Sequence, residues 1–329
     1  RVMNTSFLIA KDGNKFYTYA SGIWYESGDP LSGHKYVKTI PSKLEPVHKA
    51  IKENEKQNND GKELERPTTP PEVIVSTKPA ELIQTDGEPK YASISGTGLL
   101  YATNTLDEIF KDVESQRTFI LIGGRWFSAS SLKSSWTYVP ADKLPADFAK
   151  IPRGSEKDGV LSSVAGTPEA EEAKTEAEIP QTAKVDRSTA KVDVKFDGTP
   201  KFTPIENTGL KVAENSNVTV LQAANGKYYA VENGIWFVSS SATGPYSVSE
   251  ERPADLEKIP PDNSAYNTKY VYIYDVTPQY VYVGYTPGYM GTYIYGPTVV
   301  YGTGYYYTPW YGAYYYPRPV TYGFGMSYN

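Results

Sequence analysis

The chain of 329 residues contains no cysteine and only two histidines, His34 and His48. Without cysteine there are no disulfides, no thiolate nucleophile and no cysteine-based metal site. The two histidines stand fourteen positions apart with no ligand-spaced partner, so they read as solvated loop residues and no metal is expected. The serines of Gly124-Arg125-Trp126-Phe127-Ser128-Ala129-Ser130-Ser131 have no histidine near them in sequence, which removes a Ser-His nucleophile. Gly96-Thr97-Gly98 lacks the Gly-Lys-Ser/Thr continuation of a phosphate loop, and no cofactor is expected. No apolar run approaches the roughly 18 residues of a membrane span, Phe119-Ile120-Leu121-Ile122 being among the longest aliphatic ones. A net charge of −5 gives no basic footprint for nucleic acid. These absences together argue against an enzyme.

What is present is repetition. Asp86-Gly87-Glu88-Pro89-Lys90-Tyr91, with Thr97-Gly98-Leu99 and Ala102, recurs 111 positions on as Asp197-Gly198-Thr199-Pro200-Lys201-Phe202, with Thr208-Gly209-Leu210 and Ala213. Gly124-Arg125-Trp126-Phe127 then recurs as Gly234-Ile235-Trp236-Phe237, followed by Trp136 or Tyr246 and closing at Ile151-Pro152 or Ile259-Pro260. The second half of this unit also occurs at the front, from Gly22-Ile23-Trp24-Tyr25 to Ile40-Pro41. A fixed period implies an array of similar units. The front copy begins near Asn4-Thr5, halfway through its unit, and a segment upstream of Arg1 is expected to have been removed.

Within a unit the pattern is β. Lys227-Tyr228-Tyr229-Ala230-Val231 and Ile235-Trp236-Phe237-Val238 flank Asn233-Gly234, a hairpin signal because both turn residues must take φ > 0. Gly123-Gly124 and Ser21-Gly22 stand at the same place in the other copies. Each unit therefore reads as a small antiparallel meander. Trp24, Trp126 and Trp236 could serve as sugar platforms or as the core of each unit; their fixed place within a strand favours core. Trp136 and Tyr246 follow a polar loop and are better candidates for exposed platforms, together with Trp310 and Tyr311. Asp86 and Asp197 read as turn formers, and Asn4-Thr5-Ser6 and Asn217-Val218-Thr219 fit the glycosylation triplet.

The expected fold is mainly β: tandem small antiparallel units with a repeat of about 110 residues, the first incomplete, joined by short helical linkers. The boundaries read as a partial unit at 1–45, a linker at 46–80, a unit at 81–152, a linker at 153–193, a unit at 194–262 and a Tyr/Gly-rich β segment at 263–329. The first linker has a helical piece from Val47 to Gln57; the second opens a helix at Thr167-Pro168 and stops it at Ile179-Pro180. From Tyr266 to the end lie 20 of the 30 tyrosines, with nine glycines, six prolines and three charged residues. Tyr270-Val271-Tyr272-Ile273-Tyr274 and Tyr280-Val281-Tyr282-Val283 alternate as strands with tyrosine on one face. Such a segment either folds back over the units as an aromatic layer or makes contacts between chains.

The Gly-x-Trp-Phe-x-x-Ser-Ser units, the Ile-Pro closure, Ser163-Val164-Ala165-Gly166-Thr167-Pro168-Glu169-Ala170, Ile179-Pro180-Gln181-Thr182-Ala183 and Val281-Tyr282-Val283-Gly284-Tyr285-Thr286-Pro287-Gly288-Tyr289 resemble a group of uncharacterised bacterial exported proteins. Members are sometimes labelled carbohydrate-binding through similarity to the aromatic modules of families V and XII. The resemblance implies export to the envelope or the outside. The chain departs from the pattern at Tyr246 and at Ser134-Ser135-Trp136, where Gly-Pro-Trp would be usual.

Two functions are therefore expected. The first is a non-enzymatic structural or adhesive protein that assembles with copies of itself into a fibre, sheath or envelope layer through strand addition and tyrosine contacts. The alternative is a carbohydrate-binding repeat protein of the bacterial envelope, with polysaccharide as partner. Exposed coplanar aromatics along one face favour the alternative; strand edges open to a neighbouring chain favour the first.

Overall fold

In a computed structural model, the described residues are 7–20, 22–59, 61–62, 69–75 and 80–302. The protein is mainly β, with several antiparallel sheets and few helices. It divides into two compact units, one built on residues up to Lys78 and the other starting at Pro79. Trp310 and Tyr311, like Asn4-Thr5-Ser6, lie outside the described residues.

The first unit is a four-stranded meander, β1 (Leu8–Asp12), β2 (Lys15–Ala20), β3 (Ile23–Ser27) and β4 (Lys35–Val37), followed by helix α1 (Glu45–Asn58). Tyr17, Trp24 and Leu44 form its small core, against which Ile40 and Ile51 pack. His48 is not a solvated loop residue: it sits on α1, and its Nδ1 accepts a hydrogen bond from Trp24 Nε1 at 3.0 Å. The buried indole N–H needs an acceptor, and in this sheet an imidazole supplies it.

The second unit holds two six-stranded meanders. One runs β5 (Tyr91–Ser93), β6 (Leu99–Ala102), β7 (Glu108–Asp112), β8 (Thr118–Ile122), β9 (Arg125–Ala129), β10 (Thr137–Val139). Helix α2 (Pro168–Ala177) and strand β11 (Gln181–Asp186) follow it. The other meander runs β12 (Phe202–Pro204), β13 (Lys211–Ala213), β14 (Thr219–Gln222), β15 (Tyr228–Glu232), β16 (Ile235–Ser239), β17 (Ser247–Val248). β18 (Val271–Val276) and β19 (Tyr280–Tyr285) join β11 in a three-stranded sheet ordered β11-β19-β18. β20 (Thr292–Tyr295) and β21 (Thr298–Tyr301) form a hairpin across the Tyr295-Gly296-Pro297 turn.

Strand order and register match between the two meanders. Asn104 Nδ2 donates to the Asp86 and Glu88 carbonyls while its Oδ1 accepts from Lys90 N–H; Asn215 does the same with Asp197, Thr199 and Lys201. The turns at Gly123-Gly124 and Asn233-Gly234 have positive φ at both residues, the hairpin geometry expected of them. Trp126 and Trp236 are fully buried, and their Nε1 groups donate to the carbonyls of Ser163 and Val271. The closing Ile151 and Ile259 are buried in the same two cores, so the Ile-Pro exit is part of the packing.

Residues 153–193, read above as a linker, carry much of that packing. Thr167 caps α2 as expected, its side chain accepting from Ala170 N–H. Val160, Leu161 and Val164 complete the core around Trp126, Phe148 and Phe110, and β11 pairs along its whole length with β19. These apolar positions are few and sit in a short Gly/Ser-rich stretch, so local composition hid them; their partners lie on distant strands. Asn217 is likewise committed, partly buried, donating to Asp193 O and accepting from Lys195 N–H, which gives its side chain a structural role.

Tyrosine-rich chain up to residue 302 folds back. Tyr266, Val271, Tyr293 and Val300 join Trp236 in one core, and Val281 and Val283 seal the opposite face of that sheet against Val220, Ala230, Phe237 and Val248. Two hairpin turns receive it directly. Gly234 lies under the Tyr285 ring, where an added Cβ would come within 2.6 Å of Cδ1. Gly124 lies under Val299 and Val300, and Tyr301 N–H donates to the Gly123 carbonyl at 2.9 Å. Arg125 then clamps the segment, donating to the carbonyls of Tyr301 and Gly302 and to the Tyr293 hydroxyl.

Candidate functional site

The three-stranded sheet β11-β19-β18 has two unlike faces, because side chains alternate along a strand. Val281 and Val283 point into the core. Tyr272, Tyr274, Tyr280 and Tyr282 point the other way, partly exposed, with Tyr274 51% exposed. The Tyr272 and Tyr274 rings lie 6.1 Å apart with planes only 25° from parallel. A register shift between Ile273 and Asp275 re-aims this edge of β18.

Gly284 makes the arrangement possible. It pairs with Tyr272 on one side and Thr182 on the other, and the Tyr274 ring spreads over the bare backbone it leaves. A Cβ there would sit 2.8 Å from Tyr274 Cε2 and 2.6 Å from the Gln181 carbonyl oxygen. The pavement is cationic at its borders. Lys184 Nζ lies 3.8 Å from the Tyr280 ring centroid, and the Arg252 guanidinium lies 4.9 Å from that of Tyr272.

Beside Tyr272 and Tyr274 the surface dips into a cleft of about 340 Å³, lined by Tyr270, Tyr293, Pro180 and Glu178. Its tyrosines are held firmly. Burial raises the Tyr270 phenol far above the ordinary range, and burial raises Tyr293 to about 12 against the opposing charge of Arg125. Burial, then the neighbouring Tyr272, raises Tyr274. These hydroxyls stay protonated at neutral pH and can both donate and accept. Flat rings with polar rims suit a ligand with apolar faces and hydroxyl edges, and Glu178 can accept from such hydroxyls.

The platform candidates Trp136 and Tyr246 fall elsewhere. Trp24, Trp126 and Trp236, for which the sequence favours core, are 5%, 1% and 0% exposed. Trp136 and Tyr246 are both half-buried against the second face of their own sheets, Trp136 near Ile109 and Ile120, Tyr246 near Ala230 and Phe237. The Tyr246 hydroxyl donates to the Ala242 carbonyl, and burial pushes its phenol up. The alternation of tyrosine along 270–283 did signal the paved face, but the part played by Gly284 has no local sign in sequence. Among the described residues no helix is long and apolar enough to cross a membrane.

No family model matches the chain, and no curated protein or solved structure does.

Proposed function

We propose that this chain is a non-enzymatic, exported polysaccharide-binding protein, built as a tandem array of one β unit whose tyrosine-rich segment forms the binding face. The observation that carries this reading is the near-parallel pair Tyr272 and Tyr274, held over Gly284 on an open sheet face. Stacking a pyranose on such rings needs no induced change, so little of the contact energy is lost to ordering. An aromatic contact worth on the order of 1.5 kcal/mol corresponds to about tenfold in affinity. A glycan array probed with the wild type and with Tyr272→Ala/Tyr274→Ala tests the reading. Wild-type signal on one polysaccharide class, absent in the folded double variant, supports it; equal signals contradict it.

Assembly is the second reading, and one observation favours it: among the described residues β1 is a five-residue strand at the edge of its four-stranded meander. The other meander edges, β4, β5, β10, β12 and β17, are two or three residues long, the usual guard against strand addition. The tyrosines up to residue 302 are also largely engaged within their own unit. A sizing column with light scattering distinguishes the two: concentration-dependent growth abolished by Ile9→Pro supports assembly, and a monomer across all concentrations rejects it.

A further inference from the structure

The two six-stranded meanders share register, yet one groove is filled and its counterpart is hollow. In the β12–β17 sheet, Phe196, Phe202 and Tyr228 form a cluster of tilted rings over the second face, with centroids 6.1 Å and 5.5 Å apart. Paired strands place Thr118 in β8 where Tyr228 stands in β15, since Thr118 faces Ala129 as Tyr228 faces Ser239. Tyr91, facing Ala102, stands where Phe202 faces Ala213. Thr85, immediately before Asp86, stands where Phe196 precedes Asp197. Two of the three rings are therefore replaced by threonine, and the space they would fill is a cavity of about 550 Å³.

That volume falls within the range of small-molecule sites. The walls are mixed, with Ile83, Pro89 and Leu132 standing among polar residues. Thr85, Thr118, Ser130 and Ser131 line it with hydroxyls, Thr85 already donating to the Gly87 carbonyl and both serines bonded to Ser134, while Tyr91, 37% exposed, Lys111 and Lys133 complete the lining. Neither lysine is in an ion pair among the described residues, and one carboxylate, Glu88, shares the lining with them. The cavity thus has the footprint of missing aromatic rings, hydroxyl partners and a surplus of positive charge.

We propose that this cavity binds one acidic sugar residue, a hexuronate within a polysaccharide. One ring face packs on Tyr91, the hydroxyls meet the threonines and serines, and the carboxylate pairs with Lys111 and Lys133. The proposal rests on the polysaccharide reading above and narrows it to acidic glycans, at a second site on the same unit.

The test is calorimetric titration of the whole chain with galacturonate and alginate trisaccharides and with galactotriose as the neutral probe. The wild type is expected to bind one of the acidic probes at least tenfold more tightly than the neutral one. Thr118→Tyr installs the residue of the filled sheet; it is expected to fold with an unchanged or higher melting temperature and to lose at least tenfold in affinity. Lys111→Gln is expected to weaken acidic binding severalfold and to flatten its salt dependence. Absence of acidic binding, equal binding of the neutral probe, or undiminished binding by folded Thr118→Tyr overturns the proposal. Tyr272→Ala/Tyr274→Ala is expected to leave trisaccharide binding intact. Loss in that variant alone moves the site to the tyrosine face, whereas loss in Thr118→Tyr alone, with polymer binding retained, keeps both sites.

Discussion

Asn104 and Asn215 each tie three backbone groups at the entry of their meanders, one side chain acting as both donor and acceptor. Asn215 is the more buried, and Asn215→Ala is expected to cost about 2–3 kcal/mol in urea unfolding, since each lost bond is worth about 1 kcal/mol and its partners are left short. Gly234 carries a different burden. Its φ is +73°, and Tyr285 occupies the space a Cβ would need. Gly226, with φ +80°, opens onto free space. Gly234→Ala is therefore expected to destabilise by roughly 1–2 kcal/mol more than Gly226→Ala, the first adding a steric term to the shared conformational cost. Equal losses in the two variants would mean that Tyr285 yields without penalty. The turn role of Gly234 is legible in the sequence because Asn-Gly between alternating strands has local chemistry. Its second role as the seat of Tyr285 is not, because that residue lies 51 positions away. His48 is the same lesson at another residue: nothing local marks it as the acceptor for Trp24.

At the scale of elements, the two meanders are latched alike by a carboxylate at a short 3-10 turn that follows each, within Ala146–Lys150 in one and just before Leu256–Lys258 in the other. Asp147 accepts from Gly98 N–H and pairs with Lys150; Asp255 accepts from Gly209 N–H and pairs with Lys258. The lysine hydrogen bond, then the glycine amide, holds each carboxyl below its usual value of 3.8. A depressed folded-state pKa contributes stability that is present above the unfolded value and is lost as pH falls through the folded one. Stability is expected to drop below about pH 4, and Asp147→Asn/Asp255→Asn is expected to flatten that limb in acid titration of the melting temperature. An unchanged acid limb would place the titrating groups elsewhere. Strands and hairpins were legible at this scale from period-two alternation and turn residues, including the tyrosine strands at 271–276 and 280–285. The packing of 158–177 was not, because its apolar residues find their partners on sheets remote in sequence.

At the scale of the molecule, the tyrosine-rich segment up to residue 302 is both cover and surface. Its valines and several tyrosines seal the sheet around Trp236, while Tyr272, Tyr274, Tyr280 and Tyr282 face outward. Arg125 contributes to that layout from 176 positions away through the Tyr301 carbonyl, a contact no window of sequence displays. Gly284→Ala is expected to lift Tyr274 from the sheet and weaken polysaccharide retention without removing any ring, while Gly296→Ala, at an open turn, is expected to leave retention unchanged. Retention in gels cast with the polysaccharide reads both variants.

The most direct test of the central claim is affinity electrophoresis of the wild type and of Tyr272→Ala/Tyr274→Ala, with circular dichroism to show that both are folded. The tyrosine face predicts that the wild type is retarded in proportion to polysaccharide concentration and that the double variant loses about tenfold or more in affinity. Equal retardation of the two, or none for the wild type on neutral and acidic polysaccharides alike, would contradict it.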